Sequence, residues 1–128
     1  MSKYNHLLTN YPDFPAPGVL FRDMSPLLFD VPERNEILEA FRGFMDEKNI
    51  DTIAGVDARG FILGGMLAEK YQLPFVMIRK DGKLPDTLVA KESFDYEYSS
   101  ATLAIRKDIL KEHRVLVIDD VLATGGTL

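Results

Sequence analysis

The chain has 128 residues, of which 46% are apolar and 27% charged, as in an ordinary globular domain and unlike a disordered chain. Its net charge of −5 argues against a general nucleic-acid or membrane surface, and the absence of cysteine excludes disulfides, thiolate zinc sites and a cysteine nucleophile. The N-terminus lacks the long apolar core of a signal peptide, and no apolar run approaches membrane-spanning length. We therefore expect a cytoplasmic protein with no nucleic-acid or membrane partner.

The first third of the chain predicts an irregular arm followed by a helix. Residues 11–32 are rich in proline, which fixes φ and removes a backbone donor, so they predict an ordered irregular arm and no helix. Residues 33–49 carry apolar side chains at helical spacing, which predicts an amphipathic helix with one buried stripe. That stripe consists of Ile37, Leu38, Phe41, Phe44 and Met45.

The remaining predicted elements are four strands and one helix. In chain order they are a strand at 51–57, a helix at 59–72, a strand at 73–80, a strand at 101–108 and a strand at 113–120. The last strand has four consecutive apolar residues between charged flanks, which is typical of a strand covered on both faces. The alternation of helix and strand predicts an α/β fold with a mostly parallel central sheet flanked by helices. The polar stretch 81–100 has no clear period.

Ligands of such folds bind beyond the carboxyl ends of the strands. Residues 57–59, 79–80 and 119–127 are therefore expected along one edge of the sheet. Asp119 and Asp120 end the last strand, where their carboxylates could accept hydrogen bonds from a ribose diol. The small residues that follow could present backbone and hydroxyl donors to a phosphate: Ala123, Thr124, Gly125, Gly126 and Thr127. The alternative is a plain strand–turn–helix with an aspartate cap.

The string from Val115 to Thr127 resembles the PRPP-binding motif of type I phosphoribosyltransferases. The segments YPDFPAPGVLFRDMSPLL, GVDARGFILG, IRKDGKLP and DYEYSS extend the resemblance over nearly the whole chain, to the adenine-specific members of that family. The resemblance implies the type I phosphoribosyltransferase (Rossmann-like) fold with a small hood. It implies one domain over residues 1–128, with an N-terminal arm at 1–32 that carries a purine-pocket segment and a flexible hood loop at 81–100.

Family members continue beyond the position of Leu128, so the resemblance implies that the fold is incomplete at its C-terminus. Two expectations stay open: the chain is a fragment of a longer product, or it is an incomplete domain without activity.

The resemblance also implies a pyrophosphate site. Its residues are Asp57, Ala58, Arg59, Gly60, Arg79, Lys80 and Lys83. Ala58 stands where the family usually has serine, so one side-chain donor is lost. The basic cluster lines the pyrophosphate partly across a dimer interface in the family, which implies a homodimer. The alternative for Arg59 is a role as a salt-bridge partner, and an isolated RKDGK segment would favour a solvated charged turn.

By the same resemblance, Glu97 handles the purine proton as a catalytic residue, together with Arg59 at the leaving group, and Tyr98 closes the lid. Leu20, Phe21 and Arg22 are expected to bind adenine, with Phe21 stacking on the base. The alternative for Phe21 is an ordinary core residue. Without the resemblance, the YEY segment would be an exposed hairpin. His6 and His113 have no partner at catalytic spacing and are expected at the surface.

The implied reaction is transfer of a 5-phosphoribosyl group from PRPP to adenine, giving AMP and pyrophosphate in purine salvage. Mg²⁺ is expected to arrive with PRPP and not in a dedicated protein site. Two alternatives stay open: a regulatory domain that binds PRPP without turnover, and the same reaction on another base such as xanthine or orotate.

Overall fold

The computed structural model describes residues 5–80, 82–85, 89–95, 100–106 and 112–120, and the chain divides into two compact units, Met1–Gly43 and Phe44–Leu128. The first unit contains a short 3-10 turn at Asn5–Leu7, β1 (Thr9–Pro12), β2 (Leu20–Asp23), α1 (Ser25–Phe29) and the start of α2 (Val31–Glu47). The second contains β3 (Thr52–Val56), α3 (Gly60–Tyr71), β4 (Phe75–Lys80), β5 (Val89–Asp95), β6 (Ser100–Arg106) and β7 (Val115–Ile118). None of the helices in these described stretches is long and apolar enough to cross a membrane.

The proline-rich arm is more regular than the sequence predicts. β1 and β2 form an antiparallel two-stranded sheet, and α1 follows directly, so the prediction of an irregular arm over residues 11–32 is wrong. The prolines lie where each element tolerates them: Pro12 ends β1, and Pro26 lies in the first turn of α1. Proline here marks element boundaries and does not exclude the elements.

The amphipathic helix is confirmed as α2, and its start is capped by a side chain. Asp30 Oδ1 accepts a hydrogen bond from the backbone N–H of Glu33 at 3.0 Å, which satisfies one of the free donors at a helix start. Leu38 and Met45, seven residues apart, are buried. Phe44, predicted in the same stripe, is 47% exposed, so the buried face is narrower than predicted.

The sheet of the second unit has the strand order β5-β6-β4-β3-β7. β3 pairs in parallel with β4 and with β7, whereas β6 pairs antiparallel with β4 and β5. All five residues of β3 are buried, and α3 packs against this central strand. The predicted α/β class with helices and a central sheet is confirmed, and the sheet is mixed.

Close packing of α3 on the sheet depends on three glycines. A Cβ on Gly55 would lie 2.6 Å from the carbonyl oxygen of Gly60, and a Cβ on Gly64 would lie 2.8 Å from the ring of Phe75. A Cβ on Gly60 would collide with the carbonyl oxygen of Ile118. The helix therefore begins against the ends of β3 and β7, where any larger residue would push it away.

Two other expectations differ from the structure. β7 was expected to be covered on both faces, yet Ile118 is buried while Val117, which points to the opposite face, is 42% exposed. The strand that is buried on both faces is β3. Within the stretch 81–100, β5 is a strand paired along its length with β6, which no periodic signal had indicated.

Candidate functional site

The carboxyl ends of β4, β3 and β7 meet at one edge of the sheet. Val56 is in register with Ile78, and Gly55 with Ile118, so the residues that follow these strands emerge together. Asp57, Lys80 and Asp119 are the residues at those ends. The common edge predicted for 57–59, 79–80 and the start of 119–127 is therefore present.

Arg59 and Asp120 join the loop before α3 to the end of β7. Arg59 Nε lies 2.9 Å from Asp120 Oδ2, although the two residues are far apart in sequence. The guanidinium is half-exposed, whereas the Asp120 side chain is 7% exposed. The contact depends on Gly60, because the missing Cβ lets the start of α3 approach Ile118 and the aspartates behind it. Arg59 is therefore a half-exposed cation whose Nε contacts a buried carboxylate.

The two neighbouring aspartates differ in their surroundings. Asp119 Oδ1 accepts a hydrogen bond from the backbone N–H of Asp120 at 2.9 Å. Burial raises the pKa of the Asp120 carboxyl above its ordinary value, and the adjacent Asp119 carboxylate raises it further, while the Arg59 charge opposes both. The Asp120 carboxylate is thus a buried hydrogen-bond acceptor whose negative charge is paired with the half-exposed Arg59 guanidinium.

A second cluster surrounds Asp57, whose side chain is 4% exposed. Its Oδ2 accepts hydrogen bonds from the backbone N–H of Lys80 at 3.3 Å and from Arg79 Nε at 3.4 Å, and Lys83 Nζ lies 3.4 Å away. Burial raises the pKa of this carboxyl, but the Lys80 N–H, Arg79 and Lys83 outweigh it, so the net pKa lies below the ordinary value. Asp57 is therefore ionised at neutral pH, and the cations of the predicted pyrophosphate site are gathered around it.

Two features of this edge have no signal in the sequence. The Arg79 guanidinium lies 5.9 Å from the centre of the Phe61 ring, so an aromatic residue of α3 contacts the cation that faces Asp57. The peptide bond between Asp57 and Ala58 is cis. The pairing of Arg79 with Phe61 arises only when α3 packs on the sheet.

The predicted adenine-binding residues lie in β2 of the first unit. Leu20 and Arg22 are exposed, and Phe21 is half-buried on the opposite face of the strand. The Phe21 ring packs edge-on against Phe14 at 5.3 Å and tilted against Tyr11 at 6.3 Å. Phe21 thus belongs to a small aromatic cluster and is only half-buried, which is compatible with both the stacking role and the core role.

The two histidines are exposed, as expected. His6 Nε2 lies 3.6 Å from Glu33 Oε1, and His113 Nδ1 lies 3.1 Å from Asp51 Oδ1. The second pair lies at the amino end of β3, away from the candidate site.

Several predicted site residues lie outside the described residues. They are the catalytic and lid residues Glu97 and Tyr98 and the phosphate-loop residues Ala123, Thr124, Gly125, Gly126 and Thr127. The described part of the site therefore consists of the acidic pair, the loop before α3 and the basic end of β4.

Comparison with known proteins agrees with this geometry. Residues 35–128 match the family described as phosphoribosyl transferase domain. The chain is 48% identical over 121 residues to adenine phosphoribosyltransferase of Nitrosopumilus maritimus, covering 94% of this chain and 71% of that protein. The chain belongs to the adenine phosphoribosyltransferase family.

Solved structures of adenine phosphoribosyltransferases confirm the predicted type I fold. The enzyme of Giardia lamblia, complexed with 9-deazaadenine, superposes with a TM-score of 0.88 at 39% identity, over 99% of this chain and 72% of that one. The enzyme of Saccharomyces cerevisiae, complexed with adenine and an imino-altritol bisphosphate, gives 0.86 at 34% identity, over 97% and 73%.

The chain is shorter than its relatives. It spans 62% of the adenine phosphoribosyltransferase of Cupriavidus metallidurans, to which it is 49% identical over 118 residues and 91% of its own length.

Proposed function

We propose that this chain carries out the reaction of its family, in which PRPP and adenine give AMP and pyrophosphate. The observation that supports this most strongly is the contact of Arg59 with Asp120, which brings a half-exposed cation beside a pair of carboxylates. PRPP carries a diol next to a pyrophosphate, so a site for it needs acceptors and cations side by side. Family membership supports adenine as the acceptor.

The acidic pair is proposed to hold the ribose. The Asp119 and Asp120 carboxylates would accept hydrogen bonds from the two hydroxyls of the sugar ring, which are then fixed relative to the leaving group. The 5′-phosphate would rest on residues 123–127, whose glycines allow backbone N–H groups to approach a ligand closely.

The basic groups are proposed to stabilise the departing pyrophosphate. Negative charge develops on the leaving group as the bond to the sugar breaks, and cations already in place stabilise it without rearranging. The donors are Arg59, Arg79, Lys80 and Lys83, with the backbone of residues 57–60.

Adenine recognition is proposed for β2 and the hood. The Phe21 ring would stack on the base, and the backbone of Leu20 and Arg22 would read its edges. Glu97 would exchange the proton of the purine ring, and Tyr98 would help to exclude water, which would otherwise attack an oxocarbenium-like sugar.

The donor chemistry at this edge fits Mg²⁺ that arrives with PRPP. Among the described residues, no group of three or more acidic or histidine side chains could hold a metal ion by themselves, but Asp119 offers carboxylate oxygen of the kind that Mg²⁺ prefers. When bound, the ion would neutralise pyrophosphate charge. A homodimer and a cytoplasmic location remain predictions.

The test is to incubate the full-length protein with Mg²⁺, PRPP and a panel of purine and pyrimidine bases, and to identify nucleotide products by mass. We expect adenine to be the only base of the panel that gives a nucleotide product, which is AMP. The double variant Asp119→Ala, Asp120→Ala should abolish AMP formation while its circular dichroism spectrum stays that of the wild type. Asp51→Ala at the opposite end of β3 is the matched control and should retain turnover. Unchanged turnover in the double variant would reject the assignment, and PRPP binding without product would favour the regulatory alternative.

A further inference from the structure

The Asp57 carboxylate is buried at the centre of the groups proposed to bind pyrophosphate. It is the first residue after β3, and its backbone N–H donates to the Ile78 carbonyl oxygen at 2.9 Å, so its position is fixed by the sheet. Its side chain is 4% exposed, and Oδ2 faces the Lys80 N–H, Arg79 Nε and Lys83 Nζ. A carboxylate in this position would repel an anion and does not itself bind one.

The basic groups around Asp57 have more donors than their contacts with this carboxylate use. Arg79 contacts Asp57 through Nε and not through its two terminal nitrogens, and the Lys83 ammonium has three N–H groups for one contact with Oδ2. Arg79 is also supported by the Phe61 ring and is 27% exposed. Lys83 is 47% exposed on a flexible stem, so its ammonium would otherwise sample many positions.

We propose that Asp57 is a positioning residue, whose carboxylate holds Arg79 and Lys83 in the arrangement that binds the pyrophosphate of PRPP. This inference rests on the proposed function. Cations ordered before the ligand arrives lose less conformational entropy on binding, so affinity rises although one negative charge lies nearby.

Positioning and simple charge attraction predict opposite results for Asp57→Asn. The variant removes a negative charge beside an anion site, so Coulomb attraction alone predicts tighter pyrophosphate binding. If Asp57 positions the two cations, its loss releases them, and pyrophosphate binds more weakly. The sign of the change therefore distinguishes the two explanations.

The control is Asp51→Asn. Asp51 precedes the same strand, also accepts several hydrogen bonds, and loses the same charge when it is replaced, but it lies at the other end of β3. It should leave pyrophosphate binding unchanged.

The experiment is calorimetric titration of the full-length protein and both variants with magnesium pyrophosphate, followed by steady-state kinetics. We expect Asp57→Asn to weaken pyrophosphate binding about tenfold and to raise the KM for PRPP by a similar factor, with the KM for adenine unchanged. Pyrophosphate affinity that is equal to or higher than that of the wild type, or a wild type that does not bind pyrophosphate, would overturn the proposal. A wild type that binds pyrophosphate with the expected loss in the variant, yet forms no AMP, would reject the proposed function alone.

Two further variants, Lys83→Gln and Asp57→Glu, test whether Asp57 acts by positioning the cations. If Asp57 acts through Lys83, the losses in Asp57→Asn and Lys83→Gln will not multiply in the double variant, whereas fully multiplying losses would contradict the proposal. If Asp57→Asn fails to fold, Asp57→Glu keeps the charge but displaces it by one methylene. An affinity loss in that variant supports positioning, and unchanged affinity opposes it.

Discussion

An aspartate lies at each end of β3 and contacts basic and polar groups. The two carboxylates differ in their exposure to water. At the carboxyl end, the Asp57 side chain is 4% exposed, whereas at the amino end Asp51 is 48% exposed. Asp51 accepts hydrogen bonds from Thr52 Oγ1 at 2.8 Å and from the Arg114 N–H at 3.2 Å, and His113 Nδ1 lies at 3.1 Å. Both carboxyls have a lowered pKa, so charge alone does not separate them.

The difference lies in what each network leaves unsatisfied. The donors around Asp51 are a hydroxyl, a backbone N–H and a ring nitrogen, which have little hydrogen-bonding capacity left once they face the carboxylate. The cations around Asp57 have more donors than their contacts with this carboxylate use, and half-exposed Arg59 lies at the same edge. The amino end is therefore a closed structural network, and the carboxyl end is open to an anion.

The largest expected effect comes from moving α3 away from this edge. Gly60→Ala places a methyl group against the Ile118 carbonyl oxygen, which is backbone and cannot yield cheaply. We expect a loss of about 1–3 kcal/mol in the free energy of unfolding. We also expect a fall of about 100-fold in kcat/KM for PRPP, because Arg59 is displaced from Asp120.

Gly65→Ala is the control in the same helix. A Cβ there meets nothing within 4 Å, so the variant should gain up to about 1 kcal/mol of stability and keep its activity. Urea unfolding measures the stability of the two variants, and initial rates measure their activity. Equal behaviour of the two variants would contradict the role given to Gly60.

The next effect separates activity from stability at Arg59. Arg59→Lys loses the Nε contact with Asp120 and should lower kcat/KM for PRPP by about tenfold or more. Stability should change by less than about 1 kcal/mol, because the guanidinium is half-exposed. Arg114→Lys, which loses an Nε bond to the Lys48 carbonyl oxygen at the amino end, should leave kcat/KM unchanged. If both variants lose activity equally, the two ends are not functionally distinct.

The pH dependence of stability should have opposite signs for two aspartates of the open end. The pKa of Asp57 is lowered in the folded state, so its stabilisation is present above 3.8 and is lost as the pH falls towards the folded pKa. The pKa of Asp120 is raised, so ionising it costs stability as the pH rises from 3.8 through the folded pKa.

Urea unfolding of the wild type, Asp57→Asn and Asp120→Asn from acid to neutral pH measures these effects. The advantage of the wild type over Asp57→Asn should shrink on acidification. Its advantage over Asp120→Asn should shrink as the pH rises, and parallel profiles would refute the assigned environments.

The smallest effect is expected at the closed end. Thr52→Val keeps the shape of a buried side chain but removes its hydrogen bond to Asp51, which water can replace at that half-exposed carboxylate. We expect a loss of about 1 kcal/mol in the free energy of unfolding and no change in kcat/KM. A change in PRPP kinetics would show that the amino end communicates with the site.

Local sequence patterns predicted the elements that carry strong periodicity or apolar runs. α2, β3, α3, β4 and β7 were all expected at nearly their observed positions. The β1–β2 hairpin was missed because the prolines of this segment were interpreted as evidence against regular structure. β5 was missed because its pairing with β6 depends on tertiary contacts and its sequence has no alternating pattern. The predicted coverage of both faces of β7 was wrong because an apolar run does not show which elements pack on each face of a strand.

For the site too, local sequence patterns predicted some features, whereas others depend on tertiary packing. Parallel strands bring their carboxyl ends together, so the meeting of Asp57, Lys80 and Asp119 could be predicted from the fold class. The partners could not be predicted, because Arg59 with Asp120 and Arg79 with Phe61 meet only when α3 packs at Gly60. The burial of Asp57, which turns a presumed ligand residue into a proposed organiser of cations, also required the folded chain.

The most direct measurement is a crystal structure of the full-length protein with AMP, pyrophosphate and Mg²⁺. We expect the ribose hydroxyls to bind the Asp119 and Asp120 carboxylates, and pyrophosphate to lie between Arg59 and the Arg79–Lys83 cluster. A nucleotide bound elsewhere, with the carboxyl ends of β3, β4 and β7 free of ligand, would contradict it.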